Sequence, residues 1–291
     1  MLRLLFFVLF LQPFFAQANI NATVYSVQQG NYFMVYADNE EHIPVSIEVS
    51  FDLKNMATGF GGTKKIFVVP PKTKKFELTK VTATKDRGRM SMNTNAKFVL
   101  GDFTKSSEDV VYDLPFEKGK QHEIYQGYNG RFSHRGKEAL DFDLKIGDGV
   151  YASREGIVYK IEERNSRGCE DASCVKFNNY VIVYHEDGTF AEYIHLDRNG
   201  VDVNVGDRVE RGQRLGSSGN TGWTSGPHLH FAVYRYGLDK IQYVKTRFRT
   251  GDRREEYLEE GKVYKVDLTP MATSNYFEKG HRIRIEISSS N

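Results

Sequence analysis

From Asn19 to about Leu114 the chain alternates apolar and polar residues in short runs, ATVYSV, YFMVYA, VSIEVSF, KIFVVP and AKFVL, separated by the turn-forming GFGG and PPK. A period of two puts every second side chain on one face of a strand, and no stretch here sustains a helical period. An all-β module of sandwich type is therefore expected over residues 19–115. Past Pro115 the chain becomes Gly-rich and carries six of its eight histidines between positions 122 and 230. There NNYVIVYH and TFAEYIHL flank Glu186-Asp187-Gly188, a hairpin signal because Gly accepts a positive φ. ALDFDL and LHFAVYRY read as further strands. After about residue 241 come KVYKVDL, RIRIEI and a Ser-rich end. The fold class is thus mainly β: the sandwich-like module, an antiparallel β-sheet domain over 116–240, and a C-terminal β extension over 241–291.

Composition narrows the functional classes. With 291 residues, 40% of them hydrophobic, and 40 Lys+Arg against 38 Asp+Glu, the composition is globular, with a formal charge of only +2. There is no broad field to hold a polyanion, so no nucleic acid partner is expected. Residues 1–18, MLRLLFFVLFLQPFFAQA, have the order of a secretory signal peptide: one positive charge at Arg3, an apolar run, and small residues at the cleavage position. The run is too short to span a bilayer and Gln12-Pro13 interrupts it. An exported chain, periplasmic or extracellular, with no stable membrane anchor after cleavage is expected. In an oxidising compartment Cys169 and Cys174, close together in NSRGCEDASC, suit a small loop-closing disulfide better than half of a metal site. Oligomeric state is not specified by these patterns.

Three segments carry chemistry. His134 lies in a Gly-flanked turn ahead of ALDFDL, where Asp141 and Asp143 share one strand face, and parity allows either carboxylate to meet the imidazole. His228 and His230 are two apart on an expected strand, so both rings project from one face while Leu229, Phe231 and Val233 pack on the other. His195 ends the second strand of the hairpin, with Tyr193 expected on its face. His185, at the hairpin turn, is expected to matter little. Two His and a carboxylate form an open ligand set suited to catalytic zinc, leaving two histidines for proton transfer. HExxH is absent, so such a site is built on strands, and no GxSxG offers a nucleophile.

In order, the motifs QGYNGRFSH, ALDF, AEYIHL, VGDRVERGQRLGSSGNTG and GPHLHF resemble the M23 family of zinc metallopeptidases, the lysostaphin-type or LytM-type peptidoglycan endopeptidases, over about residues 116–236. The resemblance implies a LytM-type sheet binding one Zn²⁺ per chain through His134, Asp141 and His230, with His195 and His228 as the catalytic pair. It also implies hydrolysis of amide bonds in peptidoglycan stem peptides or cross-bridges. His134 and Asp141 are seven apart, as in a longer-spaced subgroup, and the choice of Asp141 over Asp143 rests on the resemblance. The family's usual GTPV reads Gly147-Asp148-Gly149-Val150 here. Two readings compete on the same fold, a non-catalytic cell-wall regulator and a zinc endopeptidase of Gly-rich secreted proteins. A lipoyl-type carrier, suggested by GDRVERGQRLGSSG, lacks the MKM-like lysine triplet it needs.

Overall fold

In the computed structural model the described residues are 20–85, 88–105, 110–251 and 254–265. The expected leader, residues 1–18, and the RIRIEI segment lie outside them. The alternating N-terminal runs form strands Ala22–Gln29, Tyr32–Asn39, Val45–Lys54, Lys64–Val69 and Ser91–Leu100, to which the structure adds Met56–Thr58 and Thr73–Ala83. These pair into a four-stranded and a three-stranded antiparallel sheet. Their inward residues, among them Val35, Val45, Ile47, Val49 and Val81, close a common core.

The histidine-rich region is built on a second system of strands. A nine-stranded sheet orders Arg208–Val209, Gly156–Glu162, Tyr180–Tyr184, Phe190–Ile194, Leu229–Tyr236, Ala139–Phe142, Gln121–Gln126 and Val263–Lys265, with Ile241–Val244 paired beside Leu229–Tyr236. The expected hairpin is present, with Tyr184 opposite Phe190 and Gly188 at φ +86° in its turn. One face of the sheet, carrying Val181, Val183, Ala191, Tyr193, Phe231 and Val233, packs over the main core. The opposite face carries Glu192, Ile194 and His230 at one end. Residues beyond 240 are woven into this body, since Arg247–Arg249 pairs in parallel with Val111–Asp113 and Val263–Lys265 with Gln121–Gln126.

The two β systems meet on the face that carries His230, four residues further along its strand. Ile43 and Leu100 pack with Tyr159, Tyr184, Phe190 and Tyr234 in a separate apolar cluster. Gly101, at φ +77°, sits where an added Cβ would lie 2.8 Å from the Tyr184 ring. Only glycine satisfies both the backbone and the space there. The Asp102 amide donates to the Tyr184 hydroxyl at 3.2 Å, and the Ser46 hydroxyl to the Gly101 carbonyl at 2.7 Å.

Candidate metal centre

Asp141 pairs directly with His230 across adjacent strands, and the turn after Gln126 brings His134 onto both. His134 Nε2, Asp141 Oδ1 and His230 Nδ1 lie 3.2, 2.9 and 3.1 Å from one another. A tetrahedral zinc with bonds of the usual length separates its ligand atoms by roughly 3.3 Å, so the three donors need to open by only a few tenths of an ångström to admit the ion. The donor set therefore fits zinc. Among the described residues this is the one group of three or more metal-capable side chains. Asp143, the other carboxylate parity allowed, lies past the end of strand Ala139–Phe142 and is exposed.

Each ligand is oriented by a second contact. His134 Nδ1 donates to the Gly127 carbonyl at 3.0 Å, which leaves Nε2 as the lone pair facing the cluster. The Gln126 amide nitrogen donates to Asp141 Oδ2 at 2.6 Å, leaving Oδ1 for the centre. The same nitrogen reaches Ser133 Oγ at 2.9 Å, and Gln126 Oε1 accepts from the Ser133 amide at 3.1 Å. Glu192 faces His230 Nε2 at 3.6 Å. Gln126 and Glu192 stand inside QGYNGRFSH and AEYIHL, yet the sequence assigned them no role, because only strand pairing brings them to His134, Asp141 and His230.

His195 and His228 stand beside the ligands, their ring centres 4.3 Å apart. His195 Nδ1 donates to the Thr221 carbonyl at 2.6 Å and His228 Nδ1 to the Gly226 carbonyl at 2.8 Å, so each turns Nε2 away from its anchor. His228 Nε2 is 3.8 Å from Asp141 Oδ1. Two expectations are corrected here. Tyr193 does not share a face with His195: it points into the core and donates no side chain to the site, its hydroxyl accepting from the Ser153 amide at 2.8 Å. The reason is backbone: His195 adopts φ +70°, which breaks the alternation and turns its ring to the same side as Ile194. Buried Asn179 holds that conformation, its carbonyl accepting from the His195 and Leu196 amides at 2.9 and 3.2 Å. His228 in turn lies just before the strand, which begins at Leu229, so a loop rather than strand parity aims its ring.

Electrostatics separates the histidines. Burial pushes His195 down to about 3, with His228 and His230 nearby adding to the effect. Burial likewise lowers His228, although Asp141 opposes it. Both are neutral at physiological pH. Burial also acts to lower His230, but hydrogen bonding to Asp141 and Glu192 outweighs it and raises that ring to about 9 in the metal-free chain. For Asp141 the burial that favours protonation is overcome by its two histidine partners, which hold the carboxyl well below its ordinary range.

These groups line a groove of about 960 Å³, walled by Tyr125, Phe132, Trp223 and Tyr243 among others. The expected disulfide between Cys169 and Cys174 is present and closes a loop that borders it.

Residues 135–242 match the model of peptidase family M23, and residues 243–291 that of the X-Pro dipeptidyl-peptidase C-terminal non-catalytic domain. The peptidoglycan DD-endopeptidase ShyA of Vibrio cholerae is 38% identical over 93 residues, which is 32% of this chain and 19% of that protein. ShyC of the same organism is 30% identical over 135 residues, 45% of this chain and 28% of that protein. Both likenesses are therefore confined to a segment of a longer relative. The catalytic domain of lysostaphin from Staphylococcus simulans shares 28% identity over 43% of this chain and 87% of that one, with a TM-score of 0.32. The family match starts one residue after His134 and takes in Asp141, His195, His228 and His230. The segment 135–242, about a third of the chain, is thus similar to peptidase family M23.

Proposed function

We propose that the protein is an exported zinc metalloendopeptidase that hydrolyses amide bonds in the stem peptides or cross-bridges of peptidoglycan. One observation carries the reading: three donor atoms are spaced for zinc, and two of their residues, Asp141 and His230, line a groove together with two neutral histidines whose Nε2 atoms are unblocked by their carbonyl anchors. His134, Asp141 and His230 would hold a zinc ion, which would supply Lewis acidity toward the scissile carbonyl and the attacking water. His195 and His228 do the rest of the proton work. A neutral Nε2 accepts a proton from water as it attacks, and an Nε2–H so formed hydrogen-bonds the developing oxyanion or returns the proton to the departing amine. Among the described residues no Ser or Cys side chain hydrogen-bonds either imidazole, so the reaction is a direct hydrolysis rather than an acyl transfer. The names of the relatives, both peptidoglycan DD-endopeptidases, support the substrate class. Residues 1–18 support export.

The test is mass analysis of soluble products released from purified peptidoglycan, with and without a zinc chelator and beside the His195→Ala protein. New peptide ends that vanish in both controls are expected, and they identify the bond. No release by the zinc-loaded protein overturns the assignment.

A further inference from the structure

Phe132 is 67% exposed, the most exposed large apolar side chain among the described residues, and it lies at the groove rather than on a remote surface. Its ring leans at 37° against Trp223, with centres 6.2 Å apart. The two come from different loops: Phe132 from the turn that delivers His134, Trp223 from the segment that precedes His228. Exposed Phe132 and half-buried Trp223 together give the groove an apolar wall that a ligand can cover, and tryptophan is enriched where binding energy concentrates.

The Trp223 side of this rim is braced by the disulfide loop. Gly168 and Cys169 pair in parallel with Gly222 and Trp223. The Gly222 amide donates to the Arg167 carbonyl at 2.7 Å, the Thr224 amide to the Cys169 carbonyl at 3.0 Å, and the Trp223 indole N–H to the Glu170 carbonyl at 2.9 Å. Asn178, at the end of the same loop, accepts from the Trp223 amide at 3.1 Å through Oδ1. There is no slack between the layers, because a Cβ on Gly168 would fall 2.2 Å from the Asn220 carbonyl oxygen. Exposed Val175 of the loop lines the groove beside the rings.

We propose that Phe132 and Trp223 form a substrate-gripping rim, held in place by the Cys169–Cys174 loop, that binds the backbone and small apolar side chains of an extended peptide and sets affinity rather than chemistry. The rim and the ligand cluster line one groove, so a peptide whose scissile bond lies at the cluster continues along the rim. The inference rests on the proposed peptidase function for its substrate, and the following measurements separate the two.

With a sugar-free synthetic stem peptide, Phe132→Ala and Trp223→Ala are each expected to raise KM about tenfold, with kcat changed less than about twofold and zinc content by mass spectrometry unchanged. The paired change of Cys169→Ser with Cys174→Ser is expected to raise KM in the same direction at full zinc content. Because the chain has a single Trp, Trp223 emission reads binding without turnover. Titrating the zinc-free wild-type protein with the peptide should shift that emission, and Phe132→Ala should weaken the titration. An unchanged KM, a loss confined to kcat, a loss seen only with glycan-bearing fragments, or an emission titration identical in wild type and Phe132→Ala overturns the rim. Failure of the wild-type protein to cleave, with the emission titration intact and weakened by Phe132→Ala, overturns the peptidase reading and leaves the rim standing.

Discussion

At the scale of single residues the proposed site divides into three candidate metal ligands and two histidines proposed to handle protons, and the two groups are expected to respond differently to deletion. His134→Ala, Asp141→Ala or His230→Ala is expected to abolish stoichiometric zinc and activity together, since each removes one of three protein donors. His195→Ala and His228→Ala are expected to keep zinc, measured by mass spectrometry, while lowering kcat by about 10² or more, the usual weight of a general acid–base group. Asp143→Ala, on an exposed residue, should leave zinc content unchanged. Gln126→Ala is the more informative change. Its amide fixes the Asp141 carboxylate and the Ser133 backbone beside His134 at once, so its removal should weaken zinc affinity about 10-fold to 100-fold in a competition titration with a chelator. An unaltered affinity would mean that the ligands are pre-organised without it. The five candidate positions stood out in the sequence because motifs with those residue types follow one another in order, whereas the supporting roles of Gln126, Asn179 and Glu192 did not, because contacts between strands have no local pattern.

At the scale of elements the hairpin shows how a correct local reading conceals a tertiary fact. His185 does open the turn, as its position beside Glu186-Asp187-Gly188 implies, but it is fully buried rather than idle. Its Nδ1 donates to the Glu155 carbonyl at 2.7 Å, its ring meets Tyr112 edge-on at 5.7 Å, and its Nε2 has no partner among the described residues. The expectation that His185→Ala does little is therefore revised. Losing the hydrogen bond and leaving a cavity should cost about 2–3 kcal/mol in urea unfolding, with zinc ligation untouched. Burial lowers the ring to about 4, with Arg154 adding to the effect and the Glu155 carbonyl and Asp187 opposing it. The sign follows: the unfolded chain binds this proton more readily, so the stability this ring confers is full above its ordinary value of 6.5 and drains away as pH falls toward about 4. The unfolding free energy of the wild type should thus decline relative to His185→Gln across that window. A parallel decline would exclude His185 as the source.

At the scale of the whole molecule the N-terminal sandwich is an abutment of the nine-stranded sheet. Every residue lining the groove lies at position 125 or beyond, so the described part of the sandwich does not fill it. Instead Ile43 and Leu100 cover Tyr159, Tyr184, Phe190 and Tyr234 on the face that, four residues along the strand, presents His230. The earlier residues thus end the exposed floor of the sheet rather than roof the site. A chain beginning at residue 103 would bare that aromatic patch. It is expected to bind a hydrophobic dye and associate in light scattering, without a gain in activity per bound zinc. Higher activity in a monomeric truncated protein would instead establish the sandwich as an inhibitory cover.

The β class, the hairpin, the disulfide partners and the residue types of the candidate metal centre were legible in the chain alone, because strand alternation, turn chemistry and ligand chemistry are written over a few neighbouring positions. The fold brings Asp141 rather than Asp143 to His134, since that depends on where strand Ala139–Phe142 ends and on its pairing with the strand of His230. It alone turned His195 to the side opposite Tyr193, through one left-handed residue secured by Asn179, a residue sixteen positions away. And it alone laid the sandwich on the aromatic end of the sheet, because a face that is apolar at one end and polar at the other acquires its meaning from what the rest of the chain packs against it.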